Sequence, residues 1–381
     1  MIATSIAFSD WRNLASADVT LAPGINVLWG MNAQGKSNIL EGIYYFARGR
    51  SFRGAKDREL IRFGSDFASA ALSFRKNGYA ADTSLQVTVH RKQKKLMFRN
   101  GAQLSSPAEM MGNFRAVLFS PANLALVSGG PMERRQFLDI AISQLSPAYL
   151  GSLRVYCRAL AERNALIKLA ADGHEVTEAE WEVYADVLSQ RGARIAAYRN
   201  EYVLHLNHAV AACFADMTGG AEVPELKYAS HALGDDPSFP FTDPSCRPDP
   251  SVLHGKLMAN TDREIAAGST LWGIHKDDIG IFLNGAEARS FSSQGQQRSI
   301  ALSMKLAEAE ISRDLGGEYP VILLDDVFSE LDRNRRSFIL GSLGEEPDRQ
   351  IIITSCEPDV VPDGGNGQVN FRHVENGAVS D

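Results

Sequence analysis

Three patterns of hydrophobic and polar positions follow one another along the chain. Up to about residue 125 the pattern is typical of strands, and residues 24–29 (GINVLW) form a short apolar run that indicates a buried parallel strand. Residues 85–105 alternate instead and contain Asn100-Gly101, which favours an antiparallel ribbon with a tight hairpin turn.

The middle part, from about 131 to 215, has the period of helices. A break at residues 171–173 separates two apolar stripes, so we predict two helices that pack antiparallel. Tyrosines of the second stripe are interpreted as core residues, and Asn164 is a candidate for setting the helix register. The stripes consist of Leu150, Leu153, Cys157, Leu160, Asn164 and Ile167, then Trp181, Tyr184, Leu188, Ile195, Tyr198, Tyr202 and Leu206.

From about residue 270 onward, helix and strand alternate again. The apolar runs at 321–326 (VILLDD) and 350–354 (QIIIT) are predicted to be buried strands with a helix between them. Residues 232–250 are rich in proline and aspartate and are predicted to form a loop. The fold class is therefore expected to be α/β with a helical insertion.

Composition and charge limit the classes of protein to which the chain can belong. No apolar run reaches the roughly 18 residues of a membrane span, no signal peptide is recognisable, and the four cysteines lack the spacing of a zinc site. These features predict a cytoplasmic protein. The net charge is −7, yet basic residues crowd residues 48–62 and 91–99, and such strips either face solvent or bind nucleic acid.

A phosphate-binding loop follows the first buried strand. The pattern G-x-x-x-x-G-K-S begins at Gly30, after a predicted strand and before a predicted helix, which is the context of a P-loop. Lys36 would contact the β- and γ-phosphates of ATP, and the Ser37 hydroxyl would bind Mg²⁺. The predicted ATP-binding residues are Gly30, Met31, Asn32, Ala33, Gln34, Gly35, Lys36, Ser37 and Asn38.

Two acidic residues end the strand at 321–326. Asp325 is predicted to hold Mg²⁺ at the carboxyl end of the sheet, and Asp326 is predicted to polarise the attacking water. Paired aspartates at a strand end can also cap a helix, and this alternative stays open.

The segment between the P-loop and these acids is far longer than in a nucleotide kinase or a small GTPase. Ser293, Gly295 and Gln296 lie in a sequence (SSQGQQ) that resembles the ABC signature motif, and Ser329 and Asp332 lie in a sequence that resembles the D-loop. In that superfamily the signature motif of one subunit closes over the ATP of the other. Taken alone, SSQGQQ is equally explained by a helix start with polar caps, but its order and spacing relative to the other motifs favour the signature motif.

Further motifs extend the resemblance to the RecF family. They are residues 10–13 (DWRN), 49–53 (GRSFR), 59–64 (ELIRFG), 119–121 (FSP), 134–139 (RRQFLD) and 275–278 (HKDD). The resemblance implies an ABC-type P-loop ATPase head, with a parallel core sheet plus an antiparallel β lobe, and a compact helical arm inserted. On this basis residues 1–125 and 269–381 are the two halves of the head, and 126–268 are the arm.

The same resemblance implies a function in DNA replication, recombinational repair and the SOS response. It implies an ATP-dependent homodimer, slow DNA-stimulated ATP hydrolysis, binding to single- and double-stranded DNA near gaps, and RecR and RecO as partners in loading the recombinase. The candidate DNA contacts are Arg50, Arg53, Lys92, Lys94 and Lys95.

Two departures from the family pattern affect the site. Ala33 replaces a glycine that the family often has, at an expected small cost, and Thr354-Ser355 stand where transporters have a switch histidine. Arg134 and Arg135 are equally well explained as water-facing residues of a helix, and His275 is as well explained by a core position as by a phosphate contact.

Three other functions remain as alternatives. They are a P-loop kinase for a small molecule, a scaffold with a degenerate nucleotide site, and the ATPase of another SMC-like repair protein. The first is opposed by the long separation of the motifs, and the second by the intact Lys36, Ser37, Asp325 and Asp326.

Overall fold

Strands and helices alternate in the order that the sequence pattern predicts. The structure, a computed structural model, describes residues 1–230, 248–328, 333–344, 349–358 and 369–380. Its strands are β1 (Ile2–Trp11), β2 (Leu14–Thr20), β3 (Gly24–Trp29), β4 (Phe67–Arg75), β5 (Thr83–His90), β6 (Leu96–Arg99), β7 (Ala102–Gln103), β8 (Ala116–Phe119), β9 (Pro224–Ala229), β10 (Asp278–Leu283), β11 (Ala286–Glu287), β12 (Val321–Asp325), β13 (Gln350–Ser355), β14 (Val369–Glu375) and β15 (Ala378–Ser380). Its helices are α1 (Lys36–Arg48), α2 (Ala125–Ser128), α3 (Pro131–Leu145), α4 (Pro147–Ala171), α5 (Glu178–Thr218), α6 (Pro250–Ala259), α7 (Thr261–Ala267), α8 (Ala288–Phe291), α9 (Gln294–Gly316) and α10 (Arg333–Gly344).

The chain divides into two units. Unit 1 comprises residues 1–123 and 305–381, and unit 2 comprises residues 124–304, so the division falls within α9. The three-part division expected from the sequence remains a prediction. Among the described residues, no helix is long and apolar enough to cross a membrane.

The core sheet of unit 1 has the strand order β15-β14-β3-β13-β12-β8. All neighbours pair in parallel except the edge strand β15, which is antiparallel to β14. The central strands are almost fully apolar because both faces of a parallel sheet are covered. The predicted strands at 24–29, 321–326 and 350–354 are confirmed, and so is the helix between the last two.

A second sheet of unit 1 is antiparallel, with the order β2-β1-β4-β5-β6-β7. One face of β4 and β5 is buried at every second residue, as expected of a sheet that covers a core on one side. The predicted tight turn is confirmed between β6 and β7, where Asn100 and Gly101 have φ angles of 50° and 80°. Of the basic strip at 91–99, Arg99 lies on β6 as predicted, whereas residues 91–95 lie in the loop between β5 and β6 rather than on a strand of the ribbon.

Unit 2 is built on helices and a three-stranded antiparallel sheet of order β11-β10-β9. The helices α4 and α5 pack against each other, as the two stripes predict, and α5 continues through Gly192 without a break. Gly192 permits close packing, since a Cβ there would lie 3.1 Å from Leu253 Cδ2 of α6. Asn164 accepts hydrogen bonds from the backbone and side chain of Thr270. The predicted loop at 232–250 falls almost entirely outside the described residues.

Candidate nucleotide-binding site

The P-loop connects β3 to α1 in unit 1. Lys36 is the first residue of α1. Its buried ammonium donates to the carbonyls of Gly30 (2.6 Å) and Met31 (2.7 Å), so backbone oxygens of the P-loop itself bind the positive charge. Gly30 is required by space as well as by its φ of 149°, since a Cβ there would lie 2.3 Å from Val374 O on β14. Ala33 has a φ of 65°, a conformation that an alanine adopts at a cost of about 1 kcal/mol relative to glycine.

The two acidic residues end β12, one strand removed from β3. Thr354, near the end of the intervening strand β13, donates its hydroxyl to Asp325 Oδ1 (3.1 Å) and accepts from the Asp326 amide (3.0 Å). Asp325 is 8% exposed, and Asp326 has a φ of 53°, which is uncommon for a residue other than glycine. Thr354 therefore orders both acids. In the sequence it was noted only because a threonine stands there in place of the switch histidine of transporters.

Polar side chains from three segments close the rim of the P-loop. Arg53 Nη1 donates to Asn38 Oδ1 (3.0 Å), and Asn38 Nδ2 donates to Asn13 Oδ1 (2.8 Å). Asn13 Nδ2 in turn donates to the carbonyl of Gln34 (3.0 Å). The guanidinium of Arg53, a candidate DNA contact in the sequence, is thus bonded to a residue of the predicted nucleotide site.

A buried glutamate on α1 ties two of these segments together. Both carboxylate oxygens of Glu41 accept from the Arg12 guanidinium at 2.8 Å, and one also accepts from the Ser51 hydroxyl. The Ser51 oxygen accepts from the Arg53 amide (3.1 Å). Since Arg12 adjoins Asn13, Glu41 fixes the segments that carry both Asn13 and Arg53.

The turn between β14 and β15 supports the P-loop from the other end of the chain. The amides of Asn376 (2.6 Å) and Gly377 (2.9 Å) donate to the side chain and the carbonyl of Gln34. The ring of His373 lies 4.2 Å from that of Trp29, the last residue of β3. The loop is therefore held by residues more than 300 positions away in sequence.

These residues enclose a cavity of about 370 Å³, which is in the range of small-molecule sites. The P-loop residues predicted to bind ATP line it from Asn32 through Asn38, together with Asn13, Arg53, Asp326, Thr354 and Cys356. Asn13, Arg53, Thr354 and Cys356 were not among the predicted nucleotide contacts. Asn13 and Arg53 lie in motifs of the family resemblance, and Thr354 stands where transporters have a switch histidine. None of these features placed the residues at the loop, because nothing in a linear pattern shows which segments meet there.

The signature residues lie in unit 2, at the start of α9. The Ser293 amide donates to Gln296 Oε1 (2.7 Å) and the Gln296 amide donates to Ser293 Oγ (3.3 Å), which is a reciprocal helix cap. Gln296 also bonds Glu222, and Ser293 is exposed. The segment thus forms a capped helix start in the single chain, and the predicted role of Ser293, Gly295 and Gln296 in a second subunit's site stays a prediction. The predicted D-loop residues Ser329 and Asp332 lie outside the described residues.

Among the candidate DNA contacts, Arg50, Arg53, Lys92 and Lys94 are exposed. Lys95 is mostly buried, pairs with Asp57 (3.1 Å) and donates to Tyr45 Oη (2.7 Å) and Gly49 O (2.8 Å). Its ammonium therefore connects the loop to the segment after α1 within the molecule.

The motifs at 134–139 and 275–278 join within unit 2. Arg134 forms a bidentate pair with Asp278 (2.7 and 2.8 Å), and Arg135 donates to the Asp277 carbonyl (2.7 Å). Both side chains therefore have partners within the protein, which corrects the alternative that they face water.

His275 is a structural histidine. Its Nε2 lies 3.1 Å from the Thr270 carbonyl and its Nδ1 lies 2.9 Å from Tyr156 Oη. A carbonyl only accepts, so Nε2 carries the proton and Nδ1 accepts from the tyrosine. Burial lowers the pKa of His275 to about 4, so the ring is neutral near pH 7.

Comparison with known proteins shows which family the chain resembles. A family model described as the RecF/RecN/SMC N terminal domain matches residues 2–380. The DNA replication and repair protein RecF of Clostridioides difficile strain 630 is 35% identical over 98% of this chain and 97% of its own length. RecF of Clostridium novyi strain NT is 36% identical over the full length of both chains.

Solved structures give the same result. The recombination mediator protein RecF with ATP, in the RecFOR pathway, superimposes with a TM-score of 0.89 at 31% identity, covering 100% of this chain and 97% of that one. An Smc head bound to the C-winged helix domain of ScpA shares the fold, with a TM-score of 0.57 at 13% identity, covering 100% of this chain and 96% of that one. The chain therefore belongs to the RecF family of DNA replication and repair proteins, and it has the ABC-type ATPase head fold of the RecF/RecN/SMC class.

Proposed function

We propose that the chain is an ATP-dependent DNA clamp that acts at single-strand gaps, together with RecO- and RecR-type partners, to help load a recombinase. The observation that supports this most directly is the cavity at the P-loop, where Lys36, Asp326 and Thr354 converge within one unit. A chain with degenerate nucleotide-binding residues would not keep this arrangement.

Residues of unit 1 would bind and orient the nucleotide. The P-loop amides and the Lys36 ammonium suit the phosphates, while Asn13, Asn38 and Arg53 form the polar rim. The hydroxyl of Ser37 and the carboxylate of Asp325 are ligands that Mg²⁺ prefers, and bound Mg²⁺ would neutralise phosphate charge. Asp326, ordered through Thr354, is the proposed base for the attacking water.

A second subunit would complete the site. In this proposal the exposed Ser293, with Gly295 and Gln296, caps the γ-phosphate bound by a second copy, and hydrolysis of ATP to ADP and phosphate reopens the dimer. Basic surface from both copies would then face the DNA, which is compatible with a net charge of −7 because binding needs only local positive charge. Hydrolysis would serve as a timer and would be slow.

The experiment that tests this is the solution mass by light scattering, with and without Mg-ATP, for the natural chain and for Lys36→Ala. We expect ATP to convert a monomer into a dimer and Lys36→Ala to stay monomeric. If the mass does not change although ATP binds, the role of Ser293 in a shared site is wrong.

The variant Asp326→Asn distinguishes the effect of ATP binding from that of ATP hydrolysis. The amide keeps the size of the side chain but cannot accept a proton, so we expect closure without turnover and a dimer that stays on DNA longer. Dissociation from labelled DNA after a chase with unlabelled DNA measures this. A residence time equal to that of the natural chain would show that Asp326 has another role.

A further inference from the structure

Phe63 is the most exposed large apolar side chain among the described residues, at 102%. It lies in the turn Arg62–Ser65 that precedes β4, where the Ser65 amide donates to the Arg62 carbonyl (3.1 Å) and Gly64 has a φ of 94°. A glycine at the third position of such a turn is required by its backbone conformation. The backbone conformation of the turn therefore places the Phe63 side chain in solvent.

The turn is held rigidly. Arg91, from the loop after β5, donates to the carbonyls of Ser65 (2.6 Å) and Arg62 (3.3 Å). The Arg62 amide donates to Asp10 O (2.7 Å). An aromatic ring kept in water on a rigid support forgoes about 2 kcal/mol of burial, so its position suggests that a partner covers it.

A second ring and several cations lie next to Phe63. Phe67 is 46% exposed and stands opposite His90 across β4 and β5, with ring centroids 6.1 Å apart. Because Arg91 follows His90 and contacts the turn, the two aromatic residues belong to one surface. We call this the Phe63 surface, and its exposed members are Arg62, Phe63, Phe67, Arg91, Lys92 and Lys94.

Charge decides which partner this surface fits. Its four cations face two nearby acids, Asp10, which pairs with Arg62 at 3.7 Å, and Asp66, so positive charge is in excess. Isolated aromatic rings among arginines and lysines match a chain of phosphates with unpaired bases, since each base offers a flat face for stacking. A protein interface of standard size would need a larger apolar core than two rings.

We propose that the Phe63 surface binds single-stranded DNA, with Phe63 stacking on an unpaired base and Arg62, Arg91, Lys92 and Lys94 contacting phosphates. This inference rests on the proposed DNA binding and adds to it the means of distinguishing a gap from continuous duplex. In a duplex the bases are already stacked on one another, and Phe63 would have nothing to stack on.

The experiment compares three labelled DNAs by fluorescence anisotropy in the presence of Mg-ATP: an oligothymidylate, a blunt duplex, and the same duplex with a single-stranded gap. We expect Phe63→Ala to weaken binding to the oligothymidylate and the gapped duplex about tenfold. Binding to the blunt duplex should change less than about twofold, since phosphate contacts dominate there. Phe63→Tyr should restore the preference for the gap because its ring also stacks.

A matched control is available on the same sheet. Tyr79, in the connection between β4 and β5, is 69% exposed and lies outside the Phe63 surface, so Tyr79→Ala should leave all three affinities unchanged. Unchanged ATP binding by each variant would show that the fold is intact.

Two outcomes would overturn the inference. If the natural chain binds duplex while Phe63→Ala binds all three DNAs as the natural chain does, the Phe63 surface does not contact bases, and the proposed clamp function still stands. If Phe63→Ala instead changes only the solution mass with ATP, the surface is a contact between copies of the chain. Failure of the natural chain to bind any of the DNAs would contradict the proposed function as well.

Discussion

Thr354 bonds both acids at the end of β12, the predicted Mg²⁺ ligand Asp325 and the predicted catalytic residue Asp326. Its hydroxyl donates to Asp325 and accepts from the amide of Asp326, whose φ of 53° is maintained only where surrounding contacts define it. We expect Thr354→Val, which keeps the shape and removes the hydroxyl, to reduce the rate of ATP hydrolysis about tenfold or more. Nucleotide affinity should change little, because P-loop contacts are untouched.

Phosphate release and titration with a labelled ATP analogue measure the two effects separately. Thr354→Ser is the matched control, since it keeps the hydroxyl and should hydrolyse ATP at a rate near that of the natural chain. An equal loss in both variants would mean that the methyl group, and not the hydroxyl, matters.

At this scale the sequence identified the residues that stand in contiguous motifs. The places of the P-loop and of the acids Asp325 and Asp326 could be predicted because each motif is tied to a fixed spacing and to a strand end. Thr354, Glu41 and Arg53 could not be assigned to the site, since their roles depend on which segments meet in space. Lys95 illustrates the same limit, because a lysine within a basic strip gives no sign of a partner such as Asp57.

Among the elements, α3, α4, α5 and the strands β9 and β10 meet at a buried polar cluster in unit 2. Arg199 of α5 bonds Asp139, Tyr149 and Asp277, and Asp277 also accepts from Tyr228 and Ser230. The helical period predicted α4 and α5 correctly, because an apolar stripe follows from the sequence of one helix alone. The cluster could not be predicted, since its members come from five separate segments.

His275, at the edge of this cluster, should make stability depend on pH. Burial lowers its pKa to about 4 from 6.5, so the unfolded chain binds the proton between these values and the folded chain does not. Unfolding is therefore favoured as pH falls, and the contribution of His275 to the free energy of unfolding should decrease by about 3 kcal/mol from pH 6.5 to pH 4. His275→Gln, which keeps a polar side chain, should lack this contribution.

The measurement is the difference in free energy of unfolding between the natural chain and His275→Gln, from urea titrations across that pH range. The comparison with His275→Gln is needed because a second group also titrates in this range. Burial raises the pKa of Asp277 to about 6, which stabilises the fold as pH falls through that value. The two effects oppose each other, so the curve of the natural chain should be flatter than the difference curve. A difference that does not vary with pH would contradict the neutral, buried state of His275.

In unit 1 as a whole, the P-loop depends on both ends of the chain. The strand β3 lies between β13 and β14, so the P-loop follows a strand that is paired on both sides with residues from the end of the chain, 350–355 and 369–373. Local patterns predicted β3, β12 and β13, but the order of the strands follows from packing across the molecule and cannot be deduced from any one segment. A substitution in the turn between β14 and β15 thus tests how far the candidate nucleotide site depends on residues that are distant in sequence.

Gly377 in that turn can be compared with Gly101, which has the same φ of 80° in another Asn-Gly turn of unit 1. Alanine at either position costs about 1 kcal/mol through its backbone conformation. A Cβ on Gly377 would in addition lie 2.5 Å from Asn13 O, whereas nothing lies within 4 Å of one on Gly101. We therefore expect Gly377→Ala to displace the turn from Gln34 and Asn13 and to weaken ATP binding about tenfold, whereas Gly101→Ala should bind ATP normally. Titration of both variants with a labelled ATP analogue decides this, and equal affinities would show that the P-loop keeps its shape without the turn.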